Sequence, residues 1–508
     1  MHQALAAAAS KRRSDEDRVI VVQRILVLGL FGLLATQQLL LWAFLGYAWW
    51  TYAVGAAGFI GLILLLYRMN GWGTDRGPSL ALFGTCLAIA TLACVLGGEG
   101  RFFYANTDWQ VRDAVLRDLV VYPWPFVYQA TPSPLMLRAP LAMYIIPSLI
   151  GKGLGYRAAE LALLGQNSLL LATILSLGSA LFRDTRARTI GVAVFLGFSG
   201  MDILGAAFLG KPLMGHMEAW IGPQYSSHIT QIFWVPQHGM AGWMGALLYM
   251  LWRDDRLPRA VLLAILPLLA LMSPLALMGL MPFAAHAGLD GLFKRRLVAG
   301  DILLPALALV LAIPSLLYLA AAHDTVGEHA QAIRLPIYLL FECVEVVPYL
   351  IAAWLFGRHR FGASTTFVVT AILLLAPFGQ VGNSSDFTMR ASIPALAVLA
   401  ILLGDMLAQK TDTRGAHAAQ MLGGLTFAIG FFTPAAEIIR AVRFPVSPAP
   451  LCSYLGVVPG GAATYDAPFS RVPSIVRPVR PTVIQPHDPE RCWAGPWPAA
   501  LPDVRASN

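Results

Sequence analysis

The sequence predicts an all-α fold, a polytopic integral membrane protein with about 11–13 transmembrane helices. Three observations carry that prediction. The 508 residues are 57% hydrophobic and only 13% charged, with a mean hydropathy of +0.64, which leaves too little polar surface for a soluble chain. Apolar stretches of about 20 residues, the length that crosses a hydrocarbon core, recur along nearly the whole chain. Short Lys/Arg-rich junctions separate many of them. A net charge of +8 in a soluble protein would suggest nucleic acid. Here it reflects loop charges, and no nucleic-acid partner is expected.

In chain order, the polar run MHQALAAAASKRRSDEDR precedes an apolar stretch too long for a cleaved signal core, so it reads as a retained signal anchor. Candidate spans follow at 20–45, 51–68, 79–97, 158–182, 189–209, 233–252, 297–322, 335–356, 365–381, 391–408 and 417–440. The segment 259–290 is broken by Pro267, Ser273-Pro274 and Pro282, and is expected to form a helical hairpin or two short helices. The short apolar piece 139–154, with Pro147 inside it, is expected to be re-entrant or interfacial.

The basic junctions are KRR at 11–13, Arg68 to Arg76, RDTRAR at 183–188, WRDDRLPR at 252–259, FKRR at 293–296, GRHR at 357–360 and QKTDTR at 409–414. Placing all of them in the cytoplasm is self-consistent if 259–290 returns to its own side. The protein is then expected in a bacterial inner (plasma) membrane, with its N-terminus cytoplasmic and its C-terminus extracytoplasmic. The outer set becomes 98–157, 210–232, 323–334, 382–390 and the chain after about 441. Two regions result: a transmembrane part, 1–440, with the outer loop 98–157, and a Pro-rich extracytoplasmic tail, 441–508, expected to be extended and irregular.

Cys86, Cys94 and Cys343 fall in apolar segments and are expected to be buried, inert thiols. Cys452 and Cys492 lie in the tail, where an oxidising compartment allows a disulfide, although two free thiols are the alternative. The chain has no internal repeat, no CxxC, and no P-loop or GxGxxG in a strand–helix setting.

Three constellations carry chemistry, all on the expected outer face. The block ANTDWQVRDAVLRDLVVYPWP, 105–125, is expected to form a short amphipathic helix capped by Asn106 or Thr107. Asp108–Arg112 and Asp113–Arg117 are i,i+4 pairs, and Trp109, Val115, Leu116 and Leu119 can lie on lipid or protein. The bland reading is an interfacial helix with solvated ion pairs. The functional reading makes Asp108 a general base with arginines facing a phosphate-bearing lipid. In FWVPQHGMAGW, 233–243, Gln237 and His238 sit between Trp234 and Trp243, a setting that suits a sugar as well as a structural interface. In GNSSDFTMRASIPAL, 382–396, Asp386 and Arg390 are i,i+4, and Arg390 either snorkels or binds a phosphate that Asp386 helps it to meet. His216, Glu218 and His228 match no strong metal motif.

An outer loop with an acid just after a membrane helix, a following interfacial helix and ten or more spans together resemble the GT-C-type membrane glycosyltransferases. That class includes the oligosaccharyltransferases, protein mannosyltransferases and aminoarabinose transferases. The resemblance implies a GT-C-like fold, a polyprenyl-phosphate-linked sugar as donor, and Asp108 as catalytic base. Two departures stand out. The loop follows the third span instead of the first, and Asn106-Thr107-Asp108-Trp109 lacks the paired acid often found there.

The expected function is transfer of a sugar from the lipid-linked donor to a glycan, lipid or protein acceptor of the cell envelope. Asp108 would be catalytic, and Trp109, Arg112, Asp113, Gln237, His238, Asp386 and Arg390 would bind substrate. Beyond the donor and membrane lipids, no cofactor and no divalent metal is expected. The alternatives are a transporter or flippase for lipid-linked sugars, or a non-catalytic partner of a polysaccharide assembly machine. A transporter should carry charges mid-span; Glu160, Asp202, Glu342, Glu345 and Asp405 are the candidates, each near a span end.

Overall fold

The computed structural model describes residues 20–73, 76–213, 216–357, 360–382, 385–485 and 488–498. The basic run at 11–13, Arg358 and His359, and the side chains of Glu328 and His329 lie outside the described residues.

The chain is mostly helical, and among the described residues seven helices are long and apolar enough to cross a membrane. The count is eight if the bent pair Leu335–Glu345 and Val347–Phe356 forms one span. That is fewer than the sequence suggests, because several apolar runs break into shorter helices: Leu80–Leu96, Ala142–Leu154, Arg259–Leu269, Ala363–Phe378 and Ile393–Ala408. The 233–252 run divides at Val235-Pro236 into His228–Trp234 and Pro236–Arg253. The 259–290 run does form two helices, and the Ser273 side chain caps the second, Pro274–Phe293.

Short helices suffice where protein, not lipid, surrounds them. Every residue from Ile393 to Met406 and from Pro236 to Trp252 is buried, so these two helices form the centre of the bundle. They meet closely because Gly242 faces Ile393, where a Cβ would lie 2.4 Å from a side-chain carbon. Gly245 lets the helix Pro274–Phe293 approach in the same way, since a Cβ there would lie 2.3 Å from Leu280. At the periphery, Trp49–Arg68 buries only Gly55, Phe59, Leu62 and Leu66 and leaves Val54, Ile60, Leu64 and Leu65 outside, as a lipid-facing helix should.

The fold is not purely α. Small antiparallel pairings join Ile20–Val22 to Arg76–Ser79 and Glu328–Ala330 to Gly379–Val381. A four-stranded sheet places Phe126–Tyr128 and Leu135–Leu137 at its centre, with Asp466–Pro468 and Thr482–Ile484 at its edges. The described part of the tail is largely irregular, as expected, but two short strands of it complete a sheet begun in the loop 98–157. The Cys452–Cys492 disulfide forms, 40 residues apart. Cys86 and Cys94 are buried, but Cys343 is exposed, because it falls on the outward face of Leu335–Glu345.

The loops sort into the two sets that their charges predict. Among the basic junctions, Arg360 pairs with Asp254 and Asp405, each at 3.1 Å, and Arg259 with Asp301 at 3.1 Å. Gln23 donates to the Arg256 carbonyl at 3.2 Å. In the other set, Tyr47 donates to the Ile475 carbonyl at 2.7 Å, Arg138 to the Leu319 carbonyl at 3.0 Å, and Arg471 pairs with Asp324.

Candidate functional site

The block 105–125 folds as a helix, Asp108–Val121, but a buried one, with Trp109, Arg112, Asp113, Val115, Leu116, Asp118 and Leu119 all inside. The tail and the bundle cover what would otherwise face the membrane surface, so the expectation of a solvated interfacial helix is corrected. Its start is fixed by Asn106, whose Oδ1 accepts from the Asp108 backbone N–H at 3.0 Å and whose Nδ2 donates to the Phe233 carbonyl at 2.7 Å. Thr107 makes no side-chain cap. Trp109 donates its indole N–H to the same Phe233 carbonyl at 2.8 Å and is buried, so it anchors the helix to the break before Pro236. That use of its polar atom departs from the expected substrate contact.

Asp108 remains 41% exposed while Arg112, one turn on, is 1% exposed. Their ion pair is loose, 3.6 Å from Arg112 Nη2 to Asp108 Oδ2. Arg112 Nη1 donates to Tyr144 Oη at a long 3.4 Å, and its Nε has no partner. Burial works against this guanidinium, but Tyr144, Tyr465 and Asp108 hold it charged. A buried cation with long, incomplete hydrogen bonds is one that an anion can approach.

Around it gather the other two constellations. His238 Nδ1 lies 2.7 Å from Ser273 Oγ, and its Nε2 is 3.5 Å from the Gln237 amide. Arg112 and Arg390 are both close enough to act on the charge of His238. Arg390 pairs with Asp386 at 2.7 Å as the i,i+4 spacing predicts, and its Nε is buried without a partner. Asp108, Arg112, His238, Gln237, Arg390 and Asp386, drawn from three separate sequence segments, thus form one neighbourhood.

Asp113 is turned elsewhere. Burial and then Glu160 push its carboxyl well above the usual range, against the pull of Arg101 and Arg112. Arg117 pairs with Asp118 at 3.1 Å instead of forming the expected pair with Asp113. Asp118 is fully buried and accepts from Tyr128 Oη at 2.6 Å and from the Tyr454 backbone N–H at 2.8 Å. Burial lifts it to about 6. Glu99, just after the third apolar helix, is buried beside Asn167, and burial lifts it to about 8.

Sequence reasoning missed Tyr144, Tyr465 and Ser273. Tyr144 carried a faint signal, a polar tip in an otherwise apolar 139–154 segment; Tyr465, in the tail, carried none. His228 leaves the outer polar set: its Nδ1 meets the Phe195 carbonyl and its ring packs on Phe195, Phe198 and Trp243. Among the described residues, no three His, Cys, Asp or Glu side chains are arranged to hold a metal ion.

A cleft lined by Asn106, Tyr104, Phe233, Glu437 and Arg440 adjoins this region. A second, apolar cleft runs elsewhere in the bundle, between Ile174, Phe182, Phe195, Trp243 and Ile401. Comparison of the chain with protein-family models, with curated proteins and with solved structures finds no match.

Proposed function

We propose that this protein is a glycosyltransferase of a bacterial inner membrane that moves a sugar from a polyprenyl-phosphate donor to an acceptor on the extracytoplasmic face. The observation that carries the reading is the exposed Asp108 carboxylate set against the buried, incompletely satisfied Arg112, with Arg390 and His238 within electrostatic reach. Asp108 accepts the proton of the acceptor hydroxyl as its oxygen attacks the anomeric carbon. The bond from that carbon to the phosphate oxygen breaks, and the electron pair leaves with the phosphate. Arg112 and Arg390 stabilise the departing charge as preorganised cations in a water-poor setting.

The test is transfer of label from a radiolabelled polyprenyl-phosphate sugar in membranes containing the protein. Asp108→Asn removes a proton acceptor and almost no volume, so turnover should vanish while donor binding persists. Full turnover in that variant refutes the base assignment, and a wild-type protein that consumes no lipid-linked sugar refutes the reading itself.

A further inference from the structure

Away from the Asp108 neighbourhood, two broken spans meet. The run 185–208 is interrupted between Gly197 and Asp202, and the run 335–356 bends by 56° at Val346. Each break carries a carboxylic acid, Asp202 on one and Glu345 on the other, and both are at most 1% exposed. Asp202 Oδ2 accepts from Ser199 Oγ at 3.0 Å and Thr433 Oγ1 at 2.8 Å. Glu345 Oε1 accepts from the Trp220 indole at 2.8 Å. The remaining oxygens, Asp202 Oδ1 and Glu345 Oε2, meet no protein donor, yet the two carboxyls are within hydrogen-bonding reach of each other. Gly200 makes room for this approach, since a Cβ there would lie 1.7 Å from Glu345 Oε2.

Two ionised carboxylates offer only lone pairs and repel, so a hydrogen bond between them requires a proton. We propose that Asp202 and Glu345 form a proton-binding site inside the membrane part of the fold, holding one proton between them at neutral pH and exchanging it with the outer-loop side through Glu218 and His216.

The groups facing the pair fit that role. Glu218, fully buried in the loop before His228, accepts from the Ser227 N–H at 2.8 Å and from Gln224 at 3.0 Å, and burial lifts it to about 7. The same Gln224 amide lies 3.2 Å from His216 Nε2. Burial opposes the charge on His216, but Glu437 and Glu218 raise its value above the ordinary one. Its side chain is 24% exposed, so the series reaches the surface there. Glu437 is neutralised by Arg440 at 2.8 Å and does not compete for the proton. Tyr349 faces the pair from beyond the bend, while Glu342, one turn before Glu345, has Tyr225 for company at 3.4 Å. Intramembrane acids at broken helices are where ion pathways are built, because the interrupted backbone and the acid each need a partner that lipid cannot supply.

Infrared spectroscopy of the protein in membranes tests the site. A protonated-carboxyl band at neutral pH should be present in the wild type, displaced in Asp202→Asn, and reduced in Asp202→Asn/Glu345→Gln. These amides keep shape and hydrogen bonding, so folding should survive. If the double variant does not fold, the thermal midpoint of the wild type compared with Asp202→Asn still decides. A proton bound between the two acids only in the folded state must make the wild type lose stability relative to that variant as pH rises through its release, and a difference that stays constant across that range overturns the proposal. So does an unchanged band in the double variant, or a band removed from the wild type by sodium ions, which would show a metal cation in the proton's place. In Glu218→Gln the band should exchange with deuterium several-fold more slowly; an unchanged rate overturns the route through Glu218.

Discussion

At the scale of single residues, position along a helix does not decide what an acid does here; burial does. Asp108, Asp113 and Asp118 lie within eleven residues of one another on one helix, yet one is exposed, one faces Glu160 and Arg101, and one is locked to Tyr128 and Tyr454. Asp118 has an ordinary value of 3.8 and is lifted to about 6 by burial. The folded chain therefore holds that proton more tightly than the unfolded chain does. Asp118 costs the fold nothing below about pH 4, its cost grows as pH rises to about 6, and the cost is constant above, at about 3 kcal/mol. The wild-type thermal midpoint should therefore fall relative to Asp118→Asn between those values and run parallel to it above them; a constant difference across the whole range rejects this. Arg390→Ala should raise the KM for the lipid-linked donor roughly ten- to hundredfold, since a charge-assisted hydrogen bond contributes roughly 1.5–3 kcal/mol. An unchanged KM would leave Arg390 to Asp386 alone.

Among the elements, helix contacts are set by which atoms stand opposite the glycines. At Gly245, a Cβ would meet the end of the Leu280 side chain, 2.3 Å away, which can rotate aside. At Gly279 it would lie 2.0 Å from the Ala391 carbonyl oxygen, which is backbone and cannot. Gly279→Ala should thus lower the thermal midpoint clearly more than Gly245→Ala, with a cost of roughly 1–3 kcal/mol for overpacking. Equal midpoints would mean that the short helix Asp386–Ala391, which carries Arg390, shifts freely. The tail is an element of the same kind: its strands and Tyr465 hold the loop helix from outside, so loop and tail act as a unit.

For the whole molecule, the two loop sets define two ends, and the proposed chemistry needs the tail end to face outward. A cysteine at Ser133, between the central strands of the tail sheet, should react with a membrane-impermeant maleimide in intact cells stripped of outer membrane. Labelling restricted to inverted vesicles would reverse the orientation and remove the outer-face reading.

Composition and short-range spacing were enough for the membrane class, the grouping of the basic junctions and the charged block that opens the loop helix, and they left the tail cysteines as a possible pair. Each of these depends on composition or on spacing within a short stretch, and local physics suffices for them. The sequence also named six residues of the candidate neighbourhood, because charged groups among apolar runs stand out. Which of them are buried, and what they meet, follows from the packing of distant segments. One partner of Asp118 lies 336 residues away in the tail, and the contact that fixes Trp109 lies 124 residues on. The pairing of Asp202 with Glu345 likewise appears only when two broken spans pack together. Desolvation is set by everything that surrounds a group, and no stretch of chain encodes its own surroundings.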